Sequence, residues 1–361
     1  MNSSTSSSDR HRKYGLGLLA LALVPTSILF ALGVFLEPLY GDLTRIGSYS
    51  ERNFGWNAPQ MEFSKVLYTE KRFDRYHDVV LLGDSFSTEW PNQQWQNHLI
   101  SATGWSMVTM NAKSIKLDAL LKTRAFLETP PAVLVFESVE RELPRRINDG
   151  VPCDTAATTG SMISNVNFGL PRASNSSGAL VKPIGRRKDW NDVKLDFVLN
   201  FLRNGVSRIF WGDDDTEVKK ITLDTAAPFS SVEKQELLVY VDDLSSADSW
   251  RNVGLQELGC RIERIRKKVE ANGRTQFVLM IAPNKMSAYG NFFGEVGVDK
   301  TNMLNTLATQ HPAVIPRIDL ALKAAIEIGV VDVYLPDDTH WGSSGHQIAA
   351  DSLRKFLQRE K

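Results

Sequence analysis

Four short, nearly uncharged apolar runs set the terms on which this chain folds. "DVVLLGD" (78–84), "WSMVTMNAKS" (105–114), "PAVLVFESVER" (131–141) and "TQFVLMIAPNK" (275–285) place apolar residues side by side, without the in–out alternation of a half-buried strand. Strands of that kind are buried on both faces, as in a parallel sheet covered by helices on either side. They end near Gly83-Asp84-Ser85, Asn111, Glu137 and Pro283, and "VVDVYLPDDTHW" (330–341) reads as a shorter fifth strand. Helices fit between them. Within 249–273, Leu255, Leu258, Ile262, Ile265 and Val269 recur at spacings of three and four, and Asn272-Gly273 closes the segment as a C-cap pair. A last helix follows Ser343 and buries Ile348, Ala349, Leu353 and Phe356. Open sheets of this class bind ligands at the carboxyl ends of their strands.

A different constraint acts at the N-terminus. Residues 15–36, "GLGLLALALVPTSILFALGVFL", carry no charge and are long enough to cross a bilayer core of ~30 Å at ~1.5 Å per residue. Arg10, Arg12 and Lys13 precede the run, which keeps that flank cytoplasmic and places the rest of the chain across the membrane. A cleaved signal peptide has a shorter apolar region and a small-residue cleavage site; here the run ends in Phe35-Leu36-Glu37-Pro38, which favours an uncleaved anchor. The organisation that follows is a disordered cytoplasmic tail (1–13), a transmembrane signal anchor (14–36), an irregular connector (37–76), a catalytic α/β domain from two segments (77–144 and 251–361), and a long polar insertion (145–250). Asp213, Asp214 and Asp215 within the insertion read as a solvated turn. The 42 basic and 42 acidic residues cancel, so nothing marks a nucleic-acid binder. Cys153 and Cys260 fit no metal-ligand spacing. In an oxidising compartment they either pair or remain two buried thiols, and a separation of 107 positions does not decide.

Gly83-Asp84-Ser85 ends the first run, and "FSTEW" begins a helix. Either Asp84 or Ser85 merely caps that helix, or Ser85 is a nucleophile displayed at a strand-to-helix turn. Serine is a weak nucleophile at neutral pH and needs a neighbouring base. "LPDDTHWGSSGHQIAAD" (335–351) supplies one: His340 follows Asp338 by two residues and Asp337 by three. A carboxylate on the same loop fixes the imidazole tautomer and stabilises the imidazolium, and one of the two aspartates takes that role. Ser85 and Asp338 are 253 positions apart, yet both end strands of one sheet and so meet at its carboxyl edge. His77, His98, His311 and His346 are poorer bases, with His346 expected to face outward. Trp90, Trp95 and Trp341 offer faces for a sugar ring or belong to the core.

Taken together, "GDSFS" and "DTHW" resemble the SGNH (GDSL) hydrolase superfamily, and in finer detail its alginate O-acetyltransferase (AlgJ/AlgX-like) branch. The branch also has a strand ending in an acid and then E-R-x-L, here "FESVEREL", and a strand ending in proline and lysine, here "IAPNKMSAY". Two departures stand out. "DTHW" follows the serine turn here and precedes it in the alginate proteins, and the Gly-x-Asn-Asp block of many SGNH hydrolases is replaced by Glu137 and Ser138. The resemblance covers about 78–143 and 275–357. It implies a three-layer, flavodoxin-like α/β fold with a central parallel sheet and no cofactor or metal. Ser85, His340 and Asp338 are then catalytic, with the Ser85 N–H as first oxyanion donor and Asn111 or the backbone through Ser114 as second. Glu137, Arg141, Lys285 and Trp341 are the remaining candidates on the oxyanion or substrate side. The implied activity is acetyl transfer to an exported polysaccharide outside the bacterial inner membrane, the acetyl group arriving through a membrane-bound O-acyltransferase. An acetyl esterase, and a non-catalytic polysaccharide-binding subunit, are the alternatives.

Overall fold

The computed structural model describes residues 6–35, 39–70, 72–153, 170–171, 180–186, 195–212, 216–224, 227–293 and 303–359. The acidic turn at Asp213–Asp215, the serine- and asparagine-rich stretch at 174–177 and the end of "GRRKDW" lie outside them. The strands are β1 (Gln60–Phe63), β2 (Thr69–Glu70), β3 (Val79–Gly83), β4 (Met107–Asn111), β5 (Val133–Val139), β6 (Val181–Ile184), β7 (Val218–Thr222), β8 (Glu236–Tyr240) and β9 (Gln276–Ala282).

Five of these form the central sheet in the order β2-β4-β3-β5-β9, every neighbouring pair parallel. The apolar runs form strands because both faces are covered. In β3, Val79 and Leu81 join one hydrophobic core, Val80 and Leu82 the other, and all four are fully buried. Each such side chain contributes roughly 1.5–3 kcal/mol. Trp95–Thr103, Ile318–Glu327 and Ser343–Leu357 cover the first face; Leu255–Glu270 and Met303–Gln310 cover the second. The architecture is therefore helix, sheet, helix.

Several expectations change. Residues 330–341 are not a strand: Tyr334 and Trp341 make only an isolated antiparallel bridge. Leu335 N–H donates to the His340 carbonyl and Asp338 N–H to the Leu335 carbonyl, closing a tight turn around Pro336. Buried Val333, Tyr334 and Leu335 imitate a strand in sequence, but Pro336 lacks a ladder donor and Asp338 caps its own turn. The fifth strand is instead β2, at the opposite edge, from within the supposed connector. That connector is structured, with helices at Asp42–Gly47 and Glu51–Phe54 and strands β1 and β2. The insertion is joined to it: β6 pairs antiparallel with β1, while β7 and β8 form an antiparallel hairpin. The helical segment through 249–273 divides at Gly254, which adopts φ +82° between Val241–Val253 and Leu255–Glu270.

At the N-terminus the helix starts at Ser6, so the expected disordered tail is helical from that point. Within it, Asp9–Leu32 is long and apolar enough to span a membrane, and its most apolar stretch is not buried against the rest of the protein. Cys153 and Cys260 form a disulfide with Cα atoms 6.2 Å apart, pinning the chain beyond β5 to the helix Leu255–Glu270.

Candidate active site

Parallel strands put their carboxyl ends on one edge, and the conspicuous polar residues gather there. Ser85 opens a four-residue helix, Ser85–Thr88, directly after β3. Asp84 is its N-cap, accepting the Phe86 N–H at 3.0 Å. The other Asp84 oxygen accepts the Val139 N–H at 2.8 Å and faces Arg146 at 3.2 Å. Asp84 thus secures the turn to the end of β5, and Ser85 stays partly exposed.

Glu137 supports the same turn from below. Its Oε2 accepts the Asp84 N–H at 2.8 Å and the Ser87 hydroxyl at 2.9 Å, and the residue is fully buried. Burial, then the neighbouring Asp84 charge, push its carboxyl well above the usual range. Gly83 leaves room for it, since a Cβ there would come within 2.8 Å of Glu137 Oε2. Glu137 props the turn through Oε2, while its Oε1 is buried with no hydrogen-bond partner among the described residues.

His340 stands against this turn. Its ring centroid is 4.8 Å from that of Phe86 and 5.6 Å from that of Trp90. Nδ1 bonds Asp338 Oδ1 at 2.6 Å, and the same oxygen accepts the His340 N–H at 2.9 Å. Nε2 is buried and has no hydrogen-bond partner among the described residues; a Glu89 oxygen lies 4.0 Å away. Burial disfavours the imidazolium, but the Asp338 charge and hydrogen bond, with Asp42 and Glu89 behind them, hold His340 up at about 9.

Of the two aspartates, only Asp338 bonds the imidazole. Asp337 is buried on the other side of the loop, where burial and the charge of Glu51 push its carboxyl well above the normal range. Its carbonyl accepts the N–H groups of Leu43 and Thr44. Asp42 N–H donates to Asp338 Oδ2 at 3.0 Å, and Asp42 Oδ2 approaches His340 Nδ1 at 3.7 Å. Glycine is required at 41, where a Cβ would meet the Asp337 carbonyl oxygen at 2.1 Å. Sequence reasoning missed this strap; "YGD" directly after the apolar helix was its one signal. Asp42, Asp338 and His340 each have a metal-ligating atom within 4.8 Å of the others, but the 2.6 Å bond already occupies His340 Nδ1.

The other candidates divide. Asn111 ends β4 beside the serine helix, its Nδ2 donating to Thr88 Oγ1 at 3.4 Å. Ser114 is exposed, its N–H held by the Asn111 carbonyl. Arg141 turns away to an ion pair with Asp243 at 2.9 Å. Lys285 is buried behind the histidine loop, donating to the Pro336 carbonyl at 3.2 Å and the Leu238 carbonyl at 3.4 Å. Burial lowers its pKa to about 8 against the pull of nearby Asp338 and Asp337. Trp341 and Trp95 are core residues; Trp90 is the exposed one, at 38 %. His346 does not face outward: it is buried edge-on to Trp341, with ring centroids 5.6 Å apart, and burial depresses its pKa well below normal.

A cleft of about 820 Å³ reaches Asp338, with neither Ser85 nor His340 among its lining residues. Trp90 and Asp338 line it with Tyr40, Trp56 and Tyr68 from the connector and Arg186 from beyond β6. The arrangement offers a hydroxyl at a strand-to-helix turn, an imidazole with its far nitrogen fixed by a carboxylate, and an aromatic cleft alongside. No protein-family model, no curated protein and no solved structure matches this chain.

Proposed function

We propose that the chain is a membrane-anchored serine O-acetyltransferase of SGNH-like fold, acting on hydroxyls of an exported polysaccharide outside the bacterial inner membrane. The observation that carries the reading is His340: Nδ1 locked by Asp338, and a buried Nε2 with no hydrogen-bond partner among the described residues, next to Phe86 of the helix that Ser85 opens. In the first half-reaction His340 takes the Ser85 proton as Oγ attacks the acetyl carbonyl. The leaving group departs with that proton, and an acetyl-serine remains. In the second, His340 removes the proton of a sugar hydroxyl, which attacks the acetyl carbon; Ser85 leaves and is reprotonated. The Ser85 N–H, at the first position of its helix, lacks an intrahelical partner and is available to the oxyanion.

Transfer is favoured over hydrolysis by the cleft. Aromatic side chains facing an open groove suit sugar rings, and a positioned hydroxyl reaches effective molarities of ~10⁵ M or more, far above that of water. The disulfide agrees with an oxidising compartment. The donor is supplied from within the membrane by an O-acyltransferase partner. The test is mass spectrometry of glucan, mannuronate and hexosamine oligosaccharides after incubation with an acetyl donor. Acetylated product that vanishes with Ser85→Ala supports the proposal; free acetate alone, across all acceptors, makes the protein an esterase.

A further inference from the structure

The helix Leu195–Trp211 has one face that the fold does not cover. Leu199, Leu202, Val206, Ile209 and Phe210 are 38–79 % exposed. At 3.6 residues per turn these five fall within an arc of about 100°. Trp211, at the C-terminal end, is 64 % exposed and stacks near Phe210, ring centroids 5.5 Å apart.

The opposite face is bound to the protein. Asn204 donates to the Ile46 carbonyl at 2.7 Å, and Arg208 to the Ser48 carbonyl at 2.9 Å while stacking on Tyr49 at 4.0 Å. Val198, at the edge of the stripe beside Ile209, is buried as well. The helix is thus fixed in orientation, and its bare apolar stripe is not a disordered accident. It also packs against Ser6–Phe35, the helix that is long and apolar enough to span a membrane.

We infer that Leu195–Trp211 lies in the interface of a lipid bilayer, its apolar stripe inserted among the acyl chains. The inference rests on reading Asp9–Leu32 as a membrane span. Exposed large apolar side chains in this number are costly in water and stabilising at a headgroup–acyl boundary. Trp211 and Phe210 are the aromatic types that collect at that depth, and exposed Arg203 flanks the stripe within reach of lipid phosphates. Continuity with the spanning helix selects lipid over a second protein: the two apolar surfaces are neighbours and meet the same bilayer.

The test uses the full chain in vesicles of phosphatidylcholine brominated in the acyl chains, with tryptophan fluorescence as readout. Wild type loses fluorescence relative to unbrominated vesicles, and Trp211→Phe removes most of that loss. The pair Ile209→Asp and Phe210→Asp removes it while Trp211 remains. Equal quenching in wild type and Trp211→Phe, in protein that resists alkaline carbonate extraction, overturns the surface helix alone. Protein released by carbonate overturns the membrane span with it. Cross-linking between copies through 199–210 without quenching assigns the stripe to a second copy and also overturns the inference.

Discussion

Removing the His340 imidazole tests the charge arrangement of the site directly. The folded pKa of about 9 stands above the ordinary 6.5, a gap worth about 3 kcal/mol at ~1.36 kcal/mol per pH unit. Because the folded value is the higher one, this stability is fully present below pH 6.5 and is lost as the pH rises through about 9. Denaturant unfolding of wild type and His340→Gln at pH 6 and pH 10 reads it out. The stability difference between them should be larger at pH 6 by about 3 kcal/mol. An NMR titration of the imidazole should place its midpoint near 9, and Asp42→Asn or Glu89→Gln should move that midpoint down by removing one of the charges that raise it. Since His340 must be neutral to accept a proton, kcat/KM should climb towards pH 9, with the same variants shifting the limb to lower pH. An imidazole titrating at or below 6.5, or a stability difference that grows with pH, refutes the argument.

Asp338→Asn should reduce turnover of a small acetyl ester far more than Asp337→Asn, because only Asp338 bonds the imidazole; the reverse order would move the orienting role to Asp337. Glu137→Gln should preserve most activity and stability, since an amide oxygen can accept the Asp84 N–H and the Ser87 hydroxyl as the carboxyl oxygen does, whereas Glu137→Ala should cost about 2–3 kcal/mol by leaving buried donors unpaired; equal damage from the two would show that the carboxyl is needed as such. Trp90→Ala should raise KM for an oligosaccharide acceptor while leaving turnover of a small acetyl ester within a few-fold of wild type; an unchanged acceptor KM would take the indole out of the cleft's binding face. Protease added to spheroplasts should digest residues beyond 37 and spare the N-terminal helix, and a mature chain starting after residue 36 would indicate cleavage instead.

Four of the five sheet strands were legible because burial on both faces writes an unmistakable pattern, as in Val79–Leu82. The Asp338–His340 bond was legible from their two-residue spacing, and the histidine does stand against Phe86 of the serine turn, although no strand of the sheet leads into its loop. The false strand at 330–341 shows the limit of that reasoning: buried Val333 and Tyr334 look the same in sequence whether a ladder or a turn holds them. His346 failed for a related reason, since helical spacing does not tell which neighbours pack over a polar position. The strap at Tyr40–Asp42 was missed because its partners lie almost 300 residues away, and "YGD" alone does not say what it contacts.

That distance sets when the site comes into being. Asp42 and Asp338 are 296 positions apart, and closing a flexible loop of that length costs about 5 kcal/mol plus a constant. Chains are made and fold from the N-terminus. The strap therefore emerges early and waits, with Ser85 already in place, while His340 and Asp338 are still to be synthesised. Until the last helix docks, the serine has no base. Under the proposed acetyl transfer, the order of synthesis would hold the chemistry back until the domain is closed.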